Sequence, residues 1–123
     1  MITISPIENL QRLEELFKNH GLFIGENASG VEAKFENESL GYCLFDLDDK
    51  GILIHILDPK DDIMMADGIL RSALHVAAER SRMNAVYSMG APEELFEKLG
   101  FILDKEKRTL NIDKLFGGCG CKK

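Results

Sequence analysis

Residues 51–82 read GILIHILDPKDDIMMADGILRSALHVAAERSR, and the reading of the fold turns on them. Ile52 to Leu57 runs almost unbroken in apolar residues, interrupted only by His55. A strand apolar on both faces is covered on both faces, so it is expected to be central in a sheet. Asp58-Pro59-Lys60-Asp61-Asp62 then breaks the run with charge. Beyond it, Ile69, Leu70, Ala73, Leu74, Ala77 and Ala78 recur at helical spacing. That spacing predicts a long helix, roughly Ile63 to Arg82, with this stripe buried.

Upstream the period changes to two. Val31, Ala33 and Phe35 alternate with charged residues, as in a half-buried strand. Asn37 to Ser39 turns the chain into a second strand, Leu40 to Leu47. Asp48-Asp49-Lys50-Gly51 reads as a hairpin turn, with Gly51 expected to supply a positive φ. Three strands thus form an antiparallel meander whose third member lies deepest. Before them, Ser5, Pro6 and Glu8 read as N-cap, first helical position and capping box. Ile7, Leu10, Leu13, Leu16 and Phe17 make the apolar stripe of that helix, and Gly21 stops it. Ile2 to Ile4 reads as an edge strand.

Downstream, Asn84 to Met89 is a short strand. Pro92 opens a brief helix with Leu95, Phe96 and Leu99 inward, which Gly100 ends. Phe101 to Leu103 and Thr109 to Ile112 form a last hairpin across Lys105, Lys107 and Arg108. The expected order is β-α-β-β-β-α-β-α-β-β, an α+β class built on one mixed sheet.

The composition sets limits on function. With 123 residues, 45% hydrophobic and 29% charged, the chain suits a single globular core. Fifteen basic against twenty-one acidic residues, a formal charge of −6, leave no footprint for nucleic acid. No run approaches the ~20 apolar residues that span a bilayer, so no membrane partner is expected. The N-terminus has no basic segment leading into an apolar one, and a cytoplasmic location is expected. The cysteines, Cys43, Cys119 and Cys121, are odd in number, which argues for reduced thiols.

Three stretches carry a resemblance to the GNAT superfamily of acyl-CoA-dependent N-acyltransferases. Ile52 to Pro59 looks like that family's central strand, and Ala66 to Arg82 like the helix after its pyrophosphate loop. Leu95-Phe96-Glu97-Lys98-Leu99-Gly100-Phe101 is similar to a junction that commonly reads L-Y-x-K-x-G-F. The resemblance implies a GNAT-like domain over residues 1–115; residues 116–123, outside it, read as a flexible Gly/Cys tail. It further implies acetyl-CoA or another acyl-CoA as cofactor and a small-molecule amine as substrate. The cofactor would lie along Ile56 and Leu57 and on the amides of Met64, Met65, Ala66 and Asp67, at a helix N-terminus suited to phosphate. A homodimer is compatible with it.

Two departures stand out. The family's loop, Q/R-x-x-G-x-G/A, aligns with Asp61-Asp62-Ile63-Met64-Met65-Ala66, where only Ala66 conforms. Phe96 stands where the resemblance places the Tyr that protonates the leaving thiolate. The ordinary readings are that the two Asp serve the helix N-terminus and that Phe96 is core. Candidate catalytic residues are His55, as general base, and Tyr87, in place of the missing acid, with Tyr42 lining the same cleft. The alternatives for His55 and Tyr87 are a hydrogen-bonded half-buried histidine and strand packing. Cys43 reads as core, His20 as a helix C-terminal residue, and Met64-Met65 as packing or a soft wall.

Cys119 and Cys121, set on glycines, are candidate soft ligands for Zn or Cu(I). Three readings of function follow: an N-acetyltransferase of a small amine with a degenerate pyrophosphate loop, a non-catalytic binding or regulatory module on that fold, and a thiol- or metal-handling protein acting through Cys119 and Cys121.

Overall fold

The computed structural model describes residues 1–80 and 84–117. In chain order the elements are β1 (Ile2–Pro6), α1 (Leu10–Asn19), β2 (Ala28–Phe35), β3 (Glu38–Leu47), β4 (Gly51–Asp58), α2 (Ile63–Glu79), β5 (Asn84–Tyr87), α3 (Glu93–Leu99), β6 (Ile102–Asp104), β7 (Thr109–Leu110) and α4 (Lys114–Gly117). The expected order holds, with α4 added at the end. The strands form one sheet in the order β1-β2-β3-β4-β5-β7-β6. β4 is its middle strand. It pairs antiparallel with β3 and parallel with β5, while every other pairing is antiparallel.

Both faces of the sheet are covered around β4. Ile52, Ile54 and Leu57 point to the α2 side, where Ile69, Leu70, Ala73, Leu74 and Ala77 of α2 are fully buried, joined by Ala66. Each such leucine or isoleucine contributes about 1.5–3 kcal/mol of hydrophobic stabilisation. α3 adds Leu95, Phe96 and Leu99 to the same core. On the opposite face Leu13, Leu16 and Phe17 of α1 close over Leu44, with Ile7, Tyr42 and Ile56 at the margin. Among the described residues no helix is long and apolar enough to cross a membrane.

Tertiary pairing changes several local expectations. Ser5 and Pro6 are opposite Glu32 and Val31 in the β1–β2 ladder, and the Ile7 amide donates to the Gly30 carbonyl at 2.9 Å. The chain therefore stays extended through the presumed capping box. Asn9 caps the helix instead, its side chain accepting from the Arg12 amide at 3.1 Å. Leu10 of the expected stripe is exposed. Gly51 has no positive φ; the turn is closed by the Asp48 carboxylate, which accepts from the amides of Lys50 and Gly51. Glycine is needed there for close approach, since a Cβ would strike the Asn84 carbonyl at the start of β5. α2 ends at Glu79 with Arg80 as cap, and β5 stops at Tyr87, leaving Met89 exposed.

Candidate active site

Parallel pairing between β4 and β5 lasts four residues, from Gly51↔Asn84 to Ile54↔Tyr87. A last hydrogen bond runs from the Ser88 amide to the Ile54 carbonyl at 2.9 Å. β4 then continues to Asp58, while the other chain turns off towards α3. The Ala91 amide bonds the Ser88 carbonyl, and Pro92 follows. Residues 55–58 of β4 thus have no β-partner on that side. Gly41 of β3 fixes the far end of β4, because a Cβ there would collide with the Asp58 carbonyl and Pro59.

His55 sits at the point of divergence. The register passes from Phe45↔Ile54 to Leu44↔Ile56, so His55 is the extra residue of a β-bulge. Alternation carries His55 to the α1 face, where its ring meets that of Phe17 edge-on at 6.4 Å, and the bulge sets Ile56 on that same face beside it. Its Nε2 lies 2.9 Å from Asp46 Oδ2, and the side chain is 17% exposed. An ionised carboxylate only accepts, so the contact assigns the Nε2–H tautomer to a neutral ring, with the lone pair on Nδ1.

Tyr87 belongs to the other face. It is 3% exposed, and its hydroxyl donates to Glu93 Oε2 at 2.5 Å. Burial, with the Glu93 carboxylate added to it, pushes the phenol up to about 12. Glu93 lines a cavity of about 420 Å³ with Lys60, Pro92, Glu94, Leu95 and Lys98, between the segment that follows β4 and α3. The structure therefore does not gather His55, Tyr42 and Tyr87 into one cleft. His55 and Tyr42 share the α1 face, Tyr42 bonding His20 Nε2 at 2.7 Å, and Tyr87 stands behind the sheet.

The expected cofactor residues take different roles. Leu57 is core on the α2 side and Ile56 packs under α1. Met64 is 87% exposed and closes nothing. Asp62 is the N-cap of α2, its carboxylate accepting from the Met65 amide at 3.1 Å, while the Ala66 amide bonds the Asp62 carbonyl at 2.9 Å. The amides expected free from Met64 to Asp67 are thus partly used. Those of Ile63 and Met64 precede the first intrahelical bond. The Asp67 carboxylate pairs with Arg71 at 2.8 Å. Phe96 is fully buried and Cys43 is core, its thiol pushed up by burial. Cys119 and Cys121 lie outside the described residues.

The site positions of Asp46, Glu93, Lys60 and Lys98 are not read from the sequence. Asp46 was within reach of a register argument, since the Asp48–Gly51 turn sets it opposite Leu53, two residues from His55. The other three carry no local signal.

No protein-family model matches the chain, and no curated protein does. Solved structures do. The chain is similar to the ribosomal-protein-alanine N-acetyltransferase of Brucella melitensis biovar Abortus 2308, with a TM-score of 0.59 at 16% identity over 85% of this chain and 94% of that one. It is also similar to the putative N-acetyltransferase YhhK of E. coli, a solution structure bound to coenzyme A, with a TM-score of 0.52 at 16% identity and the same coverage. The chain has the GNAT fold.

Proposed function

We propose that the protein is an acyl-CoA-dependent N-acyltransferase acting on a small amine. One observation carries this reading. Two proton-handling pairs, His55–Asp46 and Tyr87–Glu93, flank the parting of β4 and β5 from opposite faces. The similarity to a coenzyme A-bound N-acetyltransferase structure supports it.

The residues fit the two ends of an acyl-CoA unequally. The unpaired edge of β4 beyond Ile54 offers peptide groups to an amide-bearing pantetheine arm. The helix N-terminus, the usual phosphate site, carries the Asp62 carboxylate instead. Lys60 and Lys98 line the neighbouring cavity together with Glu93 and Glu94, so it offers the phosphates two cations without a net positive charge.

When bound, the thioester supplies an activated acyl group and a thiolate leaving group. His55 takes the proton of the attacking amine at Nδ1, and Asp46 holds the ring and offsets the charge it gains. Tyr87 keeps its proton at neutral pH because burial and Glu93 oppose ionisation; in this reading it gives that proton to the departing thiolate at some cost in driving force and regains one from solvent, where His55 releases its own. Over one turnover an acyl C–N bond replaces the thioester C–S bond, and one proton moves from nitrogen to sulfur.

A module that binds without turnover is the second reading, and Phe96, fully buried where the resemblance places the leaving-group acid, favours it. The two separate by experiment. Acetyl-CoA at about 100 times its Kd adds about 2.7 kcal/mol to stability, which raises Tm by roughly 10 °C in a domain of this size. Stabilisation with release of free thiol in the presence of amines supports the enzyme. Stabilisation without thiol release supports the module. Neither response at millimolar acetyl-CoA rejects both.

A further inference from the structure

Tyr87 stands where β4 and β5 part, and its side chain is shut in. The ring packs on Phe96, and among the described residues the hydroxyl bonds only Glu93 Oε2. Arg108 and Glu97 act on the phenol through charge alone. Glu93 is different in kind, because it is half-buried and also lines the cavity beside α3. Lys60, Glu94 and Lys98 of that cavity are exposed, which puts its mouth in solvent and Glu93 deeper. At about 420 Å³ it has room for a chain of water molecules. The carboxylate thus joins a buried phenol on one side to a solvent-filled space on the other.

The direction of the Tyr87–Glu93 bond follows the charge of the carboxyl group. An ionised carboxylate only accepts, so the single phenolic proton is held at Glu93. A protonated carboxyl donates through its own O–H, and the phenolic hydrogen is then free to turn to another acceptor. A phenol giving up its proton alone would be left as phenolate beside a carboxylate, the arrangement that pushes Tyr87 up to about 12. Passage of the proton through the pair avoids that state.

We infer that Glu93 is a relay residue that carries protons from the cavity to Tyr87, so that the leaving thiolate is protonated without a phenolate being left behind. The inference rests on the N-acyltransferase reading and adds to it the source of the leaving-group proton. An acid of the solvent first protonates the Glu93 carboxylate. The carboxyl O–H then breaks as a new phenol O–H forms, the old phenol O–H breaks as S–H forms, and Glu93 returns to carboxylate. The proton that His55 takes from the amine goes back to solvent, which closes the balance. Glu93 acts through Tyr87, as a positioning residue does.

The experiment measures thiol release from acetyl-CoA by the full chain over a panel of phenethylamine, spermidine and glycinamide. Glu93→Gln keeps an acceptor for the phenol but has no carboxyl to take up and pass on a proton. It is expected to lower kcat about tenfold or more, with KM for acetyl-CoA unchanged within about twofold. Glu93→Ala opens space beside the hydroxyl, and there millimolar formate is expected to raise kcat at least about fivefold, while the parent and Glu93→Gln do not respond. A merely structural role predicts the reverse, with kcat preserved by Gln and no response of Ala to formate. Glu93→Gln, of the same shape as the parent, decides alone if the alanine variant does not fold. Parental kcat in Glu93→Gln, or a folded Glu93→Ala that formate does not restore, overturns the relay and leaves the transferase reading standing. No thiol release by the parent with any amine of the panel overturns both.

Discussion

The ring of Tyr87 packs against that of Phe96 with centroids 5.1 Å apart and planes tilted by 46°. A phenol thus stands one side chain away from the position where the GNAT resemblance places one. Tyr87→Phe keeps this packing and removes only the hydroxyl. Turnover is expected to fall about 10²–10⁴-fold, with stabilisation by acetyl-CoA retained. Thiol-release kinetics beside thermal unfolding check this, and undiminished turnover would remove Tyr87 from the chemistry. The phenol's rise from 10.0 to about 12 also has a stability consequence. It stabilises the fold fully below about pH 10 and ceases to do so as pH rises through 12, because the unfolded chain ionises first. Tyr87→Phe should therefore flatten the alkaline end of the stability curve.

Asp46 acts on His55 rather than on substrate. In Asp46→Asn the amide can donate to Nε2 and reverse the tautomer, so that Nδ1 carries the proton and cannot accept one. The expected signature is a loss of kcat on the order of 10² or more, with acetyl-CoA affinity unchanged. Asp46→Glu restores part of it. A purely structural role would instead lower Tm and leave kcat intact.

Asp62 has two effects of opposite sign. Its carboxylate caps α2 through the Met65 amide, and Asp62→Ala costs about 1 kcal/mol of stability. The same change frees that amide and removes a negative charge from the place a pyrophosphate would occupy. Coenzyme A affinity should rise by about fivefold while Tm without ligand falls, as calorimetric titration and unfolding would record. A fall in both would mean that the helix N-terminus takes no part in binding.

Glu32 is the buried carboxylate under α1, 4% exposed and 2.6 Å from Arg12. Burial alone would raise its carboxyl. Hydrogen bonds from Arg12 and Ser39, with the charges of Arg12 and Lys34, outweigh that and hold it below the ordinary 4.5. A depressed carboxyl stabilises the fold above the unfolded value and loses that effect as pH falls through the folded one. Glu32→Gln should cost about 1.5–3 kcal/mol at neutral pH, and the gap to the parent should close below about pH 4 in acid unfolding curves. A gap constant with pH would show that the pair contributes nothing by charge.

The sequence by itself determined the order of elements, the central place of Ile52–Leu57 and the buried stripe of the long helix. These rest on period and run length, which survive any choice of neighbours. It also singled out His55 and Tyr87 as candidates for chemistry on adjacent strands. Only the tertiary structure decided that they lie on opposite faces, because the parallel register sets Tyr87 beside Ile54, one residue before His55, and no local pattern announces that register. Pairing decided the N-terminus too, where the ladder through Ser5 and Pro6 outweighed a sound helix cap. The partners Asp46 and Glu93, and the lysines at positions 60 and 98, come from segments far apart in sequence or across a turn. Their meeting depends on where β4 and β5 part, and that is a property of the packed sheet.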